Sequence, residues 1–149
     1  MEKVSIVYWS QTGNTEAMAK MIAQGAEEAG AKAELIEVSS ANVDELLALP
    51  GFAIGCPAMG AEELEDAEVE PFVASIEGKV SGKSLLLFGS YDWGDGEWMR
   101  IWQERMEKAG AVIVTGAGII ANNAPDSDAE ASLKAAGAKL ADRDRKSVV

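Results

Sequence analysis

The chain has 149 residues, 48% of them hydrophobic and 26% charged, which is enough for one domain with its own core. Its formal net charge of −12 disfavours nucleic acid as a partner and suits a basic protein. Histidine is absent and Cys56 is the single cysteine, so Ser–His catalysis, most zinc sites and a disulfide framework are excluded.

Short apolar runs alternate with segments of helical periodicity along the chain. The predicted strands are 4–8, 33–38, 51–56, 83–89 and 111–114, and the last resumes near Ile119. The predicted helices are 15–29, 42–49 (capped by Asn42), 64–76, 97–109 and 127–141. This alternation predicts an α/β fold with a parallel sheet and helices on both faces. We assign residues 1–141 to one domain and expect the charged tail, 142–149, to fray.

The first informative loop, Ser10–Thr15, follows the first predicted strand and opens a helix. Ligands of open α/β sheets bind beyond the carboxyl ends of the strands. Backbone N–H groups at a helix N-terminus bind phosphate, and the hydroxyl side chains of this loop add donors. The loop lacks the lysine of a Walker A motif. Taken alone, it fits a phosphate site and a well-capped helix equally well.

Two further loops follow the third and fourth predicted strands. The segment 56–62 combines a tight turn at Met59 with a carboxylate at Glu62, and taken alone it favours an exposed turn. We interpret Cys56 as a small buried residue and not as a nucleophile. The segment 89–96 contains Tyr91 and Trp93. These side chains either fold back onto the core or are exposed and become covered by a flat ligand. Together the three loops suit one phosphate and one planar heterocycle, as in flavin mononucleotide (FMN).

These segments resemble the flavodoxin family. Residues 7–16 are similar to its phosphate loop, [ST]-x-T-G-N-T, and 55–62 and 88–99 are similar to the two flavin loops of short-chain flavodoxins. The resemblance extends over residues 1 to 141. It implies a flavodoxin-like three-layer sandwich whose five parallel strands have the order 2-1-3-4-5.

The resemblance also implies FMN as the cofactor and gives the matching residues their roles. Met59 and Trp93 would cover the two faces of the flavin, the Gly60 carbonyl would meet flavin N5, and Glu62 would accept from flavin N3–H. The hydroxyl and amide side chains of the first loop would hold the phosphate, and the loop of Asn122 and Asn123 would approach the ribityl chain or the ring edge. The full set of expected contacts is Ser10, Gln11, Thr12, Gly13, Asn14, Thr15, Pro57, Ala58, Met59, Gly60, Ala61, Glu62, Ser90, Tyr91, Asp92, Trp93, Gly94 and Asn122.

The function implied is that of a low-potential one-electron carrier, not an enzyme, using a stabilised neutral semiquinone and an anionic hydroquinone. Segment 61–70 contains six carboxylates and no basic residue. We therefore expect basic-surfaced reductases and oxidoreductases to dock at an acidic flavin edge. We also expect a cytoplasmic monomer that binds no membrane. The alternative is a flavodoxin-fold enzyme such as a quinone reductase, which usually adds loops that this chain lacks. Gln11, Ala61 and Asp92 depart from the family pattern.

Overall fold

The computed structural model describes residues 3–11, 13–59 and 62–148. The strands are β1 (Lys3–Tyr8), β2 (Lys32–Glu37), β3 (Gly51–Gly55), β4 (Ser84–Tyr91), β5 (Val112–Ile113) and β6 (Ile119–Asn122). The helices are α1 (Asn14–Glu28), α2 (Val43–Leu47), α3 (Val69–Glu77), α4 (Glu97–Lys108) and α5 (Ser127–Val148). A short 3-10 turn, Val38–Ser40, joins β2 to α2.

The strands form one parallel sheet in the order β2-β1-β3-β4-β5, which confirms the predicted topology. The apolar run Leu85–Phe88 lies in β4 and is buried, as expected for a strand covered on both faces. Tyr8 lies opposite Gly55, and Gly55 lies opposite Phe88. The carboxyl ends of β1, β3 and β4 therefore meet at one edge of the sheet.

The fifth predicted strand, 111–114 with a continuation near Ile119, forms two separate strands, β5 and β6. Strand β5 pairs with the start of β4, and β6 pairs with its end, from Phe88 to Tyr91. Between them, Gly116 has φ 80°. The side-chain amide of Gln103 donates to the Gly116 carbonyl and accepts from the Gly118 N–H. The side chain of Gln103, on α4, thus satisfies backbone groups between β5 and β6 with which no neighbouring strand pairs.

Helices cover both faces of the sheet. One apolar cluster joins β1 to α1 and α5 through residues such as Ile6, Ile22 and Leu133. The other joins β3 and β4 to α3 and α4 through residues such as Phe52 and Trp102. Among the described residues, no helix is long and apolar enough to cross a bilayer.

The two largest differences from the predicted helix boundaries lie at the start of α3 and the end of α5. Helix α3 begins at Val69 and not at Leu64, because the Glu65 carboxylate binds the backbone N–H groups that would otherwise enter a longer helix. Helix α5 runs to Val148 and not only to Ala141. Fraying of the tail in solution stays a prediction.

Candidate functional site

The first loop brings the N-terminus of α1 to the carboxyl edge of the sheet. The Ser10 hydroxyl accepts from the backbone N–H groups of Gly13 at 3.1 Å and Glu16 at 3.2 Å, so Ser10 caps the helix. Gly13 has φ 96°, a left-handed conformation that favours glycine. The N–H groups of Asn14 and Thr15 belong to the first turn and have no partner within the helix. With the helix dipole they form an anion-binding cradle.

The hydroxyl of Thr15, whose backbone N–H belongs to this cradle, has a partner on β4. The residue is 1% exposed, and its Oγ1 lies 2.9 Å from the hydroxyl oxygen of Ser90. This buried contact joins the first loop to the end of β4. A hydroxyl both donates and accepts, so the expected role of the Thr15 side chain in holding phosphate stays a prediction beside this contact.

The second loop folds into a small hairpin. Met59 and Glu63 exchange two backbone hydrogen bonds of 2.9 Å each. Three-residue connections of this kind commonly place their last residue in the left-handed region. Glu62, the last residue here, has φ 56°. Three of the predicted contacts, Thr12, Gly60 and Ala61, lie outside the described residues.

Glu62 joins this hairpin to the third loop. Its Oε1 accepts from the backbone N–H of Glu97 at 3.2 Å, at the start of α4. Gly94 has φ 88°, and a Cβ there would lie 2.7 Å from the same oxygen. The positive φ favours glycine at this position, and a larger residue would also displace the Glu62 carboxylate. One carboxylate oxygen of Glu62 is engaged by the protein, which leaves Oε2 for the predicted contact with flavin N3–H.

The two aromatic residues of the third loop behave differently from each other. Trp93 is 61% exposed, an unusual exposure for so large an apolar side chain. Tyr91 is half-buried and packs against Trp98, with ring centroids 5.7 Å apart. The indole N–H of Trp98 donates to the Cys56 carbonyl at 3.2 Å. The outward orientation expected of a stacking residue thus holds for Trp93, whereas Tyr91 folds towards the core.

A cleft of about 100 Å³ brings residues of the three loops together. Of the two asparagines expected near the cofactor, Asn123 lines this cleft and Asn122 lines a hollow beside α5. Asn123 has φ 60° and its N–H donates to the Tyr91 carbonyl at 2.7 Å. Asparagine tolerates this left-handed conformation better than most residues. The residues lining the cleft are Gln11, Asn14, Pro57, Ala58, Met59, Ser90, Tyr91, Asp92 and Asn123.

Only part of the acidic segment 61–70 forms the expected solvated face. Glu65 is 7% exposed, and Glu70 forms a two-pronged ion pair with Arg105, at 2.8 Å for each oxygen. Arg105 also bonds Glu77 and lowers the pKa of that carboxyl below its ordinary value. The exposed carboxylates that remain around the site are Glu63, Asp66, Glu68, Asp92, Asp95 and Glu97. Among these, Asp95 is paired with Arg100 at 3.1 Å.

Cys56, at the start of the second loop, and Glu65, just after it, are both buried and in contact. Cys56 is fully buried, and burial raises the pKa of its thiol to about 12, so the thiolate is not available near neutral pH. Its sulfur accepts from the Glu65 backbone N–H at 3.4 Å. Burial alone would raise the pKa of the Glu65 carboxyl. Three backbone N–H donors lower this pKa by more, so it lies below its ordinary value.

We expect Glu65→Gln to lower the free energy of unfolding by about 1–2 kcal/mol near neutral pH, because it removes a charged acceptor from three backbone donors. The native pKa of Glu65 is lowered. The carboxylate therefore stabilises the fold fully above its unfolded pKa, about 4.3, and loses this effect as the pH falls through the native pKa. Urea unfolding at pH 7 and pH 3 measures this effect. The difference in unfolding free energy between the variant and the parent protein should be smaller at pH 3. Glu63→Gln, at an exposed neighbour, is the control, and an equal loss in both variants would contradict the capping role.

The site fits FMN by the chemistry of its donors. Backbone N–H groups at the start of α1 suit a phosphate monoester, and no basic side chain lines the cleft among the described residues. The exposed indole of Trp93 and the thioether of Met59 supply apolar surface for a flat ring system. The polar side chains Gln11, Asn14 and Asn123 line the cleft and offer hydrogen bonds to a polar chain.

Comparison with known proteins agrees with this site. The family model described as Flavodoxin matches residues 6–135. Flavodoxin of Clostridium beijerinckii is 50% identical over 138 residues, 93% of this chain and 99% of the relative. Flavodoxin of Megasphaera elsdenii is 49% identical over 127 residues, 85% of this chain and 91% of the relative. The solution structure of two-electron reduced Megasphaera elsdenii flavodoxin superposes with a TM-score of 0.85 at 46% identity, covering 93% of this chain and 98% of that one.

Proposed function

The chain belongs to the flavodoxin family and is an FMN-dependent electron carrier, and we propose that it binds the cofactor in the three-loop cleft. This proposal rests on one observation: the exposed indole of Trp93 and the N-terminus of α1 lie at the same edge of the sheet. When bound, FMN supplies the redox chemistry, and the protein supplies binding, orientation and electrostatics.

Each loop has a separate task in this proposal. The first N–H groups of α1 bind the phosphate, and the Ser10 cap holds that turn in place. Trp93 and Met59 flank the ring system and exclude water from its faces. Glu62 holds the hairpin against the start of α4, and its carboxylate accepts a hydrogen bond from an N–H group of the ring. Thr12, Gly60, Ala61 and Asn122 remain proposed contacts on the strength of the family resemblance.

The chain works with other redox proteins and not as an enzyme, in keeping with its family. The alternative, a quinone reductase, is not favoured. This chain covers almost the whole length of the two relatives described above, and both are named Flavodoxin. A monomeric state and a cytoplasmic location belong to the proposal. A single buried cysteine supports the location, because proteins of oxidising compartments tend to use disulfides.

Bound cofactor is the direct test. The purified protein should carry one non-covalent FMN for each chain, released by acid and identified by mass spectrometry. The cradle of a single helix N-terminus suits the one phosphate of FMN better than the diphosphate of FAD. Recovery of FAD, or failure of the apoprotein to bind added FMN, would overturn the proposed site.

The exposed carboxylates around the cleft should make partner reduction depend on salt. With a basic c-type cytochrome as acceptor, we expect the bimolecular rate constant to fall about tenfold between low and moderate ionic strength, because screening removes electrostatic steering. Stopped-flow rates across a salt series measure this. Asp66→Lys with Glu68→Lys should flatten the series, whereas Glu27→Lys with Glu28→Lys, on α1, makes the same charge change elsewhere. Equal slopes in the two double variants would show that net charge alone matters.

A further inference from the structure

Two buried hydroxyl groups meet where the first loop contacts the sheet. The hydroxyl oxygen of Thr15, in the first turn of α1, lies 2.9 Å from that of Ser90, near the end of β4. Thr15 is 1% exposed and Ser90 is 5% exposed. The backbone N–H of Ser90 also donates to the Thr15 oxygen, at 3.4 Å. Ser90 therefore offers two donors, its N–H and its O–H, to one oxygen of the phosphate loop.

The inventory of protons and lone pairs gives this contact a direction. A hydroxyl group has one proton to donate and two lone pairs that accept. Among the described residues, the Thr15 oxygen is the only acceptor for the Ser90 hydroxyl. If Thr15 donated to Ser90, the buried Ser90 proton would have no acceptor, which is costly. Ser90 therefore donates, both lone pairs of the Thr15 oxygen are occupied, and the Thr15 proton is left for a third group.

Ser10 shows the same arrangement on the other side of the turn. Its hydroxyl oxygen accepts from the backbone N–H groups of Gly13 and Glu16, at 3.1 and 3.2 Å. These two bonds occupy both of its lone pairs, so its proton is also free to donate. The first loop thus has two hydroxyl groups that the protein itself fixes as donors.

The second loop contributes few donors of its own. The N–H groups of Cys56, Ala58 and Met59 donate to backbone carbonyls, at 3.1, 3.0 and 2.9 Å. Pro57 has no N–H. Since no basic side chain lines the cleft among the described residues, a phosphate at the start of α1 depends on the donors of the first loop. The direction of each hydroxyl proton there consequently affects binding.

The geometry of the two elements aims the Thr15 hydroxyl at the phosphate. Thr15 is the second residue of α1, and side chains of a helix lean towards its N-terminus, where the unpaired N–H groups lie. Ser90 is held from two sides, since its carbonyl accepts from the Ala58 N–H at 3.0 Å and β4 pairs it with Ala121 on β6. A rigid donor on the sheet thus orients a hydroxyl on the helix.

We propose that Ser90 is a positioning residue for the cofactor phosphate: its hydroxyl donates to the Thr15 oxygen, and the Thr15 hydroxyl thereby directs its proton to the phosphate of FMN. The inference rests on the proposed FMN site. A hydroxyl that accepts a hydrogen bond becomes a stronger donor, so the relay also strengthens the bond to the phosphate. The protein in this way strengthens an anion site without a charged side chain.

Titration of the apoprotein with FMN and with riboflavin, which lacks the phosphate, tests this role. We expect Ser90→Ala to weaken FMN binding about fivefold, the usual effect of one hydrogen bond, and to leave riboflavin binding within about twofold. Thr15→Val keeps the shape of the side chain and should weaken FMN binding about tenfold or more, because it removes a donor to a charged group. Quenching of flavin fluorescence measures both affinities.

The double variant separates a relay from two independent contacts. Because Ser90 acts only through the Thr15 hydroxyl, Ser90→Ala with Thr15→Val should bind FMN within about twofold of Thr15→Val alone. It also leaves neither hydroxyl without a partner, so it should fold as the parent does. Ser5→Ala is the control, since Ser5 is 2% exposed and lies in the first half of β1, and it should change neither affinity.

The outcomes distinguish this inference from the proposed function. A parent protein that fails to bind FMN would overturn the cofactor site itself. With FMN bound by the parent, three results would overturn the role of Ser90 alone: normal FMN affinity in Ser90→Ala, equal weakening of FMN and riboflavin in that variant, or single effects that multiply in the double variant. Normal FMN affinity in Thr15→Val would equally contradict the relay.

Discussion

Replacing Trp93 by alanine should weaken FMN binding by about 1–3 kcal/mol, the range measured when an aromatic side chain that stacks on a nucleic-acid base is removed. The physical reason is the 61% exposure of the indole, which a flat ligand would cover. Fluorescence titration of the apoprotein with FMN measures the affinity. The same titration should show less quenching of flavin fluorescence, because the indole no longer contacts the ring.

A conservative variant separates stacking from a general effect on the loop. Trp93→Phe keeps an aromatic face and should retain most of the affinity. Unfolding of the apoprotein should be nearly unchanged in both variants, since an exposed side chain contributes little to the core. An unchanged affinity for FMN in Trp93→Ala would show that the indole lies away from the bound ring.

Gly137→Ala should lower the free energy of unfolding by about 1–3 kcal/mol, the usual cost of forcing an extra group into a packed interface. Helix α5 crosses α1 at this glycine, and a Cβ there would overlap the carbonyl oxygen of Ile22. Gly25 on α1 meets Lys134 of α5 in the same way. The gain in helix propensity on replacing glycine, about 1 kcal/mol, acts in the opposite direction and is outweighed by the overlap.

The matched control is Gly78→Ala, at the end of α3. Gly78 has φ −84°, which alanine adopts easily, and a Cβ there meets nothing within 4 Å. We expect a change within about 0.5 kcal/mol. Urea unfolding followed by circular dichroism measures both variants. Because α1 carries the anion cradle, Gly137→Ala should also weaken FMN binding, and a normal stability for this variant would show that the helices separate at little cost.

The cofactor loops show where prediction from sequence ends. The S-Q-T-G-N-T segment indicated an anion site because a helix start and its N–H groups follow from local rules. The same residues did not show that the Thr15 hydroxyl pairs with Ser90, which is 75 residues away in the chain. Nor did they show that Tyr91 packs on Trp98 while Trp93 remains exposed. These outcomes depend on which side chains the fold brings together.

The sequence by itself determined the class of fold, the order of its elements and the three loops of the site, because apolar periodicity and turn residues act locally. The tertiary structure decided what depends on distant neighbours. Gln103 bridges the break between β5 and β6, and the Glu65 carboxylate delays the start of α3. The contact between the Ser90 and Thr15 hydroxyls also arises only in the folded chain, because the order of the strands places the end of β4 beside the start of α1.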